Sequence, residues 1–112
     1  MVIPECSICE KPTTVATAVV EVDSSAASKN RHEAWDTYGE NISSNVIPYT
    51  HPVPWQWNHK KCGPELGYWF DASRISNTRK AMGWTLHLSE KRWFPSTDWE
   101  TLMRQLGYVE NG

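Results

Sequence analysis

Apolar and polar residues alternate along this chain in a way that divides it into a strand-rich start and a helical end. Residues 13–22 (TTVATAVVEV) hold seven β-branched side chains in ten, which predicts a strand. Ala16, Ala18, Val20 and Val22 fall on one face and Val15, Thr17, Val19 and Glu21 on the other, so the first face is the core candidate. From Asp23 to Asn45 the composition turns to Ser, Asn and charge, which predicts a loop insertion over about 23–45. Within it Ala34, Trp35 and Tyr38 suit at most a short helix that Gly39 would end. Val46-Ile47 restarts apolar structure. His51-Pro-Val-Pro-Trp-Gln-Trp-Asn-His59 then alternates, with Val53, Trp55, Trp57 and His59 on one face. Pro52 and Pro54 donate no ladder hydrogen bonds, so this segment reads as an edge strand or extended arm.

Beyond Gly63-Pro64, Glu65–Phe70 supplies aromatic surface and a helical pattern takes over. Ser76 suits a cap, and Ala81, Met82, Trp84, Leu86, Leu88 and Trp93 form an apolar arc over residues 76–93. Arg79, Lys80, His87 and Lys91 lie on the opposite side at about 100° per residue. Pro95 stops that helix. Thr97-Asp-Trp-Glu100 reads as a capping box for a last helix over 98–106 that buries Trp99, Leu102, Met103 and Leu106. Gly107 suits the left-handed position that closes it, with Tyr108 packing back on Met103. The predicted class is α+β: a β-rich N-terminal part over 1–62, then a helical part over 63–112 ending in a helical hairpin.

Cysteine placement adds a staple to this outline. The three cysteines all fall in one pattern, Cys6-x2-Cys9 and, after a gap of 49 residues, His59-x2-Cys62. Two ligands two residues apart bite one side of a metal ion, so two such bites close a tetrahedral Zn²⁺ site. A redox C-x-x-C needs a preceding strand, and only Val2 and Ile3 stand in that region. A disulfide framework needs an even number of cysteines and an export signal. His51 competes with His59 for the third ligand position. Cys6-Ser-Ile-Cys9-Glu-Lys-Pro reads as a zinc knuckle, with Glu10 where many knuckles carry a glycine. The indoles of Trp55 and Trp57 are expected to shield the metal.

At 112 residues and 12.9 kDa, the chain is expected to form a single zinc-stabilised domain, small enough for a metal staple to matter. The start MVIPECSICEKP lacks the apolar stretch of a signal peptide. No apolar run approaches the roughly 20 residues of a membrane span. Thiols without an export signal point to the cytoplasm.

The formal net charge of −2 argues against a simple nucleic-acid binder, yet its distribution is uneven. Residues 1–56 carry a balance of −4, whereas residues 60–92 carry +4, with Lys60 and Lys61 flanking the ligand pair. Three thiolates and one imidazole leave Zn²⁺ with a net −1, which those lysines would offset.

The C-x2-C knuckle, the β-rich stretch, H-x2-C and a following helix resemble treble-clef and zinc-ribbon proteins. That resemblance implies Cys6, Cys9, His59 and Cys62 as ligands of a structural zinc. The 49-residue gap and the Gly63-Pro64 break depart from it. The stretch TRKAMGWTLHLSEKRWFPSTDW is similar to small bacteriophage accessory proteins, a likeness that brings no activity with it.

Catalysis fits the residues poorly. Zinc deaminases place H-x-E ahead of P-C-x-x-C, but here the order is reversed and His32-Glu33 are adjacent. A treble-clef nuclease, the remote alternative, needs further histidines in a motif, whereas His32, His51 and His87 are scattered. The expected function is therefore a non-catalytic binding module. Seven Trp and four Tyr favour a protein partner, with Trp35 and Trp69 least explained by folding. The alternative is nucleic-acid binding through Arg79, Lys80, His87 and Lys91.

Overall fold

The structure, a computed structural model, describes residues 2–38 and 52–109, and for 34–38 the backbone alone. A 3₁₀ turn at Val15–Thr17, capped by Thr14, delivers the chain into β1 (Ala18–Asp23). The predicted strand thus begins five residues late, and Ala16 lies exposed outside it. Ala18, Val20 and Val22 join the core as the alternation implies, but Val19 and Glu21 are buried too. β1 is the central strand of a three-stranded antiparallel sheet, β3-β1-β4, so both its edges are paired, and its second face is covered by the segments that bring Asn58, Glu65 and Leu66 to Glu21.

β3 (Gln56–His59) pairs with β1 from Ala18↔His59 to Glu21↔Gln56, and β4 (Gly67–Asp71) pairs on the other side from Val19↔Asp71 to Asp23↔Gly67. The proline-rich arm is an edge, as expected, with a separate short strand β2 (Val53–Pro54) before it. β4 corrects the reading of 63–112 as a helical part. Its alternation is hidden because Tyr68, Trp69 and Phe70 are all aromatic, although only Phe70 is buried and Trp69 is 51% exposed.

The predicted insertion over 23–45 is also corrected. Residues Ser24–Tyr38 form a helix, α1, whose first turn is capped by the Asp23 carboxylate accepting from Ala26 N at 2.9 Å. It lacks an apolar stripe, so periodicity misses it. Among its described side chains Ala27 alone is fully buried, and the Ala27 carbonyl accepts from the Ser96 hydroxyl at 2.7 Å. Gly39, Val46-Ile47 and His51 lie outside the described residues.

α2 (Thr78–Ser89) follows a 3₁₀ turn at Ala72–Ile75 and is capped by Asn77, not Ser76. The helix predicted to reach 93 ends at Ser89, and of its arc only Ala81 and Leu88 are buried, with Trp84 and, beyond the helix, Trp93 partly so; Met82 and Leu86 stand exposed. A seam this narrow covers the core with one edge of the helix. The chain then turns through Phe94–Ser96 into β5 (Thr97–Asp98), parallel to β2, and α3 (Trp99–Gln105). Asp98, not Thr97, caps α3, because Thr97 is drawn into β5 and its hydroxyl donates to Phe94 O at 2.7 Å. Trp99, Leu102, Met103 and Leu106 are buried. Gly107 has φ +84°, and Gly107 N and Tyr108 N donate to Arg104 O and Met103 O, a Schellman close.

The main core lies on the Ala18–Val20–Val22 face. Trp55 centres it, with ring centroids 4.9 Å from Trp99, 5.9 Å from Phe70 and 6.2 Å from Tyr68 and Trp93. Trp55 therefore packs into this aromatic cluster and is not the lid over the metal site that the alternation suggests. Among the described residues, no helix is long and apolar enough to cross a membrane.

Candidate metal centre

The knuckle is a tight hairpin built by its own backbone. Glu5 and Pro12 form an antiparallel bridge, Cys6 N donates to Lys11 O at 3.0 Å, and Glu10 N donates to Cys6 O at 2.9 Å. Closing that turn puts Glu10 at φ +61°, the left-handed conformation that explains the glycine common at this position in knuckles. The second ligand pair closes a similar turn: Cys62 N and Gly63 N both donate to His59 O, at 3.0 and 3.1 Å.

Sheet register brings the two turns together. Ser7 N donates to Trp57 O at 3.0 Å, docking the knuckle on the end of β3, and Trp57 Nε1 donates to Thr13 Oγ1 at 2.7 Å behind it. As a result one donor atom from each of Cys6, Cys9, His59 and Cys62 lies within 4.8 Å of all the others. Two thiolates on a shared tetrahedral ion sit about 3.8 Å apart, given metal–sulfur bonds of about 2.3 Å. The four residues are thus positioned to bind a metal ion, and no disulfide competes for the sulfurs.

The surroundings fit such an ion. His59 Nε2 lies 2.8 Å from Pro12 O, so it carries the proton and donates, which leaves Nδ1 free to ligate. That Nδ1 sits 3.2 Å from Cys9 Sγ. Burial alone would raise the Cys6 thiol, but hydrogen bonds from the backbone at Cys9, His59 and Ile8 outweigh it and bring the thiol down to about 6. Cys62 moves the other way, pushed up to about 11 by burial and then by its Cys9 and Cys6 neighbours. Three thiols crowded this closely need a cation before all can ionise, and a metal ion supplies it. Lys60, one of the lysines expected to offset the thiolates, is engaged elsewhere: its Nζ pairs with Asp71 Oδ2 at 2.9 Å.

The expected partner-binding residues lie mostly on and around α2. Arg79 and Lys80 are exposed on the first turns of α2. His87 packs its ring 4.5 Å from that of Trp84, and Lys91 lies 4.8 Å over the Tyr68 ring. Trp69 presents its indole from the sheet face opposite the aromatic cluster, and the Trp35 side chain lies outside what the structure describes. Pattern reading missed Met82 and Leu86, which are 64% and 66% exposed. They edge an apolar groove of about 720 Å³ between α2 and α3, with Phe94, Met103, Tyr108 and Val109 in its walls. Only the narrowness of the seam on α2 signals it, and that is a tertiary property.

No protein-family model, no curated protein and no solved structure matches the chain.

Proposed function

We propose that the protein is a non-catalytic, zinc-stapled module that docks on another protein through the groove between α2 and α3. The donor set supports zinc. Three thiols and one imidazole suit a borderline-soft ion in tetrahedral geometry, and four protein ligands leave no position for a water to be activated. The ligand spacing relates it to treble-clef and zinc-ribbon proteins, although Cys62 here leads into β4 and α2 begins only at Thr78.

The observation that carries the docking reading is the exposed Met82–Leu86 pair at the edge of a groove of about 720 Å³. Helical spacing i, i+4 puts both side chains on one stripe, and methionines adapt to a partner's shape. Asp98 and Glu100 are the carboxylates of its wall, and with Glu100 already paired to Arg104 at 2.7 Å it is Asp98 that favours an apolar segment with a basic residue beside it. The likeness to bacteriophage accessory proteins makes a bacterial host protein the natural source of that segment.

Nucleic-acid binding is the second reading, and one observation favours it. Arg74 lies 5.2 Å over the Trp84 ring, and both line a recess with Lys80, beside the exposed Arg79. One experiment separates the two. The protein is used to capture partners from nuclease-treated bacterial lysate, alongside a Met82→Glu/Leu86→Glu variant and an Arg79→Glu/Lys80→Glu variant. Capture that survives nuclease and is lost only in the first variant is the expected result. Binding to mixed DNA or RNA that weakens steeply with salt and is lost in the second variant would overturn the proposal.

A further inference from the structure

Glu21 is a fully buried carboxylate in the middle of the central strand, and among the described residues no cation pairs with it. A buried charge persists only where its hydrogen bonds are made, and here every partner is an N–H. Oε2 accepts from Asn58 Nδ2 at 2.8 Å, and Oε1 accepts from Glu65 N at 2.8 Å and Leu66 N at 2.9 Å. The β1 ladders are made by backbone groups, so the sheet itself does not require this side chain. Its partners lie on the segments that carry the ligands, one residue before His59 and three and four residues after Cys62.

Asn58 immediately precedes His59. With its Nδ2 shared between Glu21 Oε2 and Gln56 Oε1, its carbonyl oxygen is turned toward the knuckle. There it accepts from Ser7 N at 3.1 Å and stands 4.0 Å from Cys6 Sγ. His59 N in turn lies 3.4 Å from that sulfur. On the other side, Glu65 and Leu66 belong to the turn that leaves Cys62. Gly63, between them and the ligand, passes so close to Glu21 Oε2 that a Cβ there would collide with it.

From this we infer that Glu21 is the positioning residue of the metal centre. One carboxylate, directly and through Asn58, fixes all three ligand-bearing segments: the Cys6–Cys9 knuckle, His59 and the Cys62 turn. The sheet thereby holds the four donors in place before the ion arrives. This inference rests on the metal reading above, and its experiment lets the two fail separately.

Glu21→Gln keeps the shape but turns an NH₂ group toward N–H donors, so either Asn58 or the Glu65–Leu66 pair loses its acceptor. The variant is loaded with Co²⁺, whose ligand-field bands report the geometry of the donors, and its Zn²⁺ affinity is measured against a chromophoric chelator. Expected are altered Co²⁺ bands and an affinity lowered about 10- to 100-fold, the range for lost outer-shell partners. Val22→Ala, a truncation on the core face of the same strand, serves as the control for general destabilisation. It should lower the melting temperature and leave the Co²⁺ bands unchanged. A Glu21→Gln protein with wild-type bands, and an affinity no lower than that of Val22→Ala, overturns the positioning role. If Glu21→Gln does not fold, Asn58→Asp keeps the acceptor for Ser7 and loses the donor to Glu21. Altered bands there support the role and wild-type bands refute it. Wild-type protein that takes up neither Co²⁺ nor Zn²⁺ refutes the metal centre itself, a failure visible before any variant is made.

Discussion

On one face of the sheet Val20, Trp57 and Phe70 meet across the strands and run into a cluster of indole and phenyl rings. On the other, Glu21 and Asn58 meet donors and acceptors one by one, and the chain beyond them carries the metal ligands. The aromatic face tolerates imperfection: the indole N–H groups of Trp55 and Trp84 are buried there with no hydrogen-bond partner among the described residues. The polar face leaves no such atom among the described residues. Dispersion is additive and forgiving, whereas a buried hydrogen-bonded network fails when one member is removed. The two faces should therefore respond differently to damage, the aromatic one by degrees and the polar one at once.

Metal removal is the strongest way to break that contrast. Binding energy in a structural zinc site is on the order of 10 kcal/mol. That rivals the whole stability of a domain this size, about 5–15 kcal/mol. A strong chelator should unfold the protein in one transition, with far-UV and near-UV circular dichroism lost together. A near-UV tryptophan signal that outlasts chelation would show that the aromatic face stands alone.

Next in size is the aromatic face itself. Trp99→Ala should cost about 3–5 kcal/mol in urea unfolding, because its ring is buried against Trp55, Phe70 and Phe94. Trp69→Ala, on the opposite face and half exposed, should change stability by about 0.5 kcal/mol or less. Equal losses at the two positions would erase the distinction between the faces.

Smaller again is Glu10, whose left-handed backbone costs a residue with a Cβ about 1 kcal/mol. Glu10→Gly should raise the unfolding free energy of metal-loaded protein by about that amount, and an unchanged value would mean that the knuckle carries no strain.

The smallest effect belongs to the exposed pair at the edge of the polar face. The Lys60 ammonium, aided by Ser73 N, holds the Asp71 carboxyl below its usual 3.8. A depressed folded-state value means that the pair stabilises above pH 3.8 and that its contribution disappears as pH falls through the lower value. Both groups are partly solvated, so the gain is a few tenths of a kcal/mol. Urea midpoints of wild type and Asp71→Asn should differ slightly at neutral pH and converge below pH 3.8. A difference that grows toward low pH would contradict the assignment.

What could be read from the chain followed the range of each interaction. Cys6, Cys9, His59 and Cys62 were legible because each pair is a local turn and the thiols have no other employment in so short a sequence. α3 was legible because its stripe, its left-handed Gly107 and its length are all local signals. α1 was not, since a helix anchored by Ala27 shows no apolar period. β4 was hidden by three consecutive aromatics that sort into core and solvent only when β1 lies beside them. Glu21 reads as a solvent-facing residue, because the atoms that bury it come from positions 58, 65 and 66. Met82 and Leu86 read as core from their angle on the helix, while the amount of helix that meets the core is set by the rest of the fold.

The strand order β3-β1-β4 has a consequence for the order of synthesis. The central strand is made first, and both of its neighbours come more than 30 residues later. Until residue 59 has left the ribosome the Ala-Val-Val-Glu-Val run of β1 has two open edges, and until residue 71 it keeps one, the condition under which a valine-rich segment pairs with a stranger. A metal ion gives no early protection, because His59 and Cys62 arrive with the same late segment. During that interval the charge of Glu21 separates Val19-Val20 from Val22, where an apolar residue would leave an unbroken β-prone run. The carboxylate that later disappears into the sheet is, on the nascent chain, a guard against aggregation.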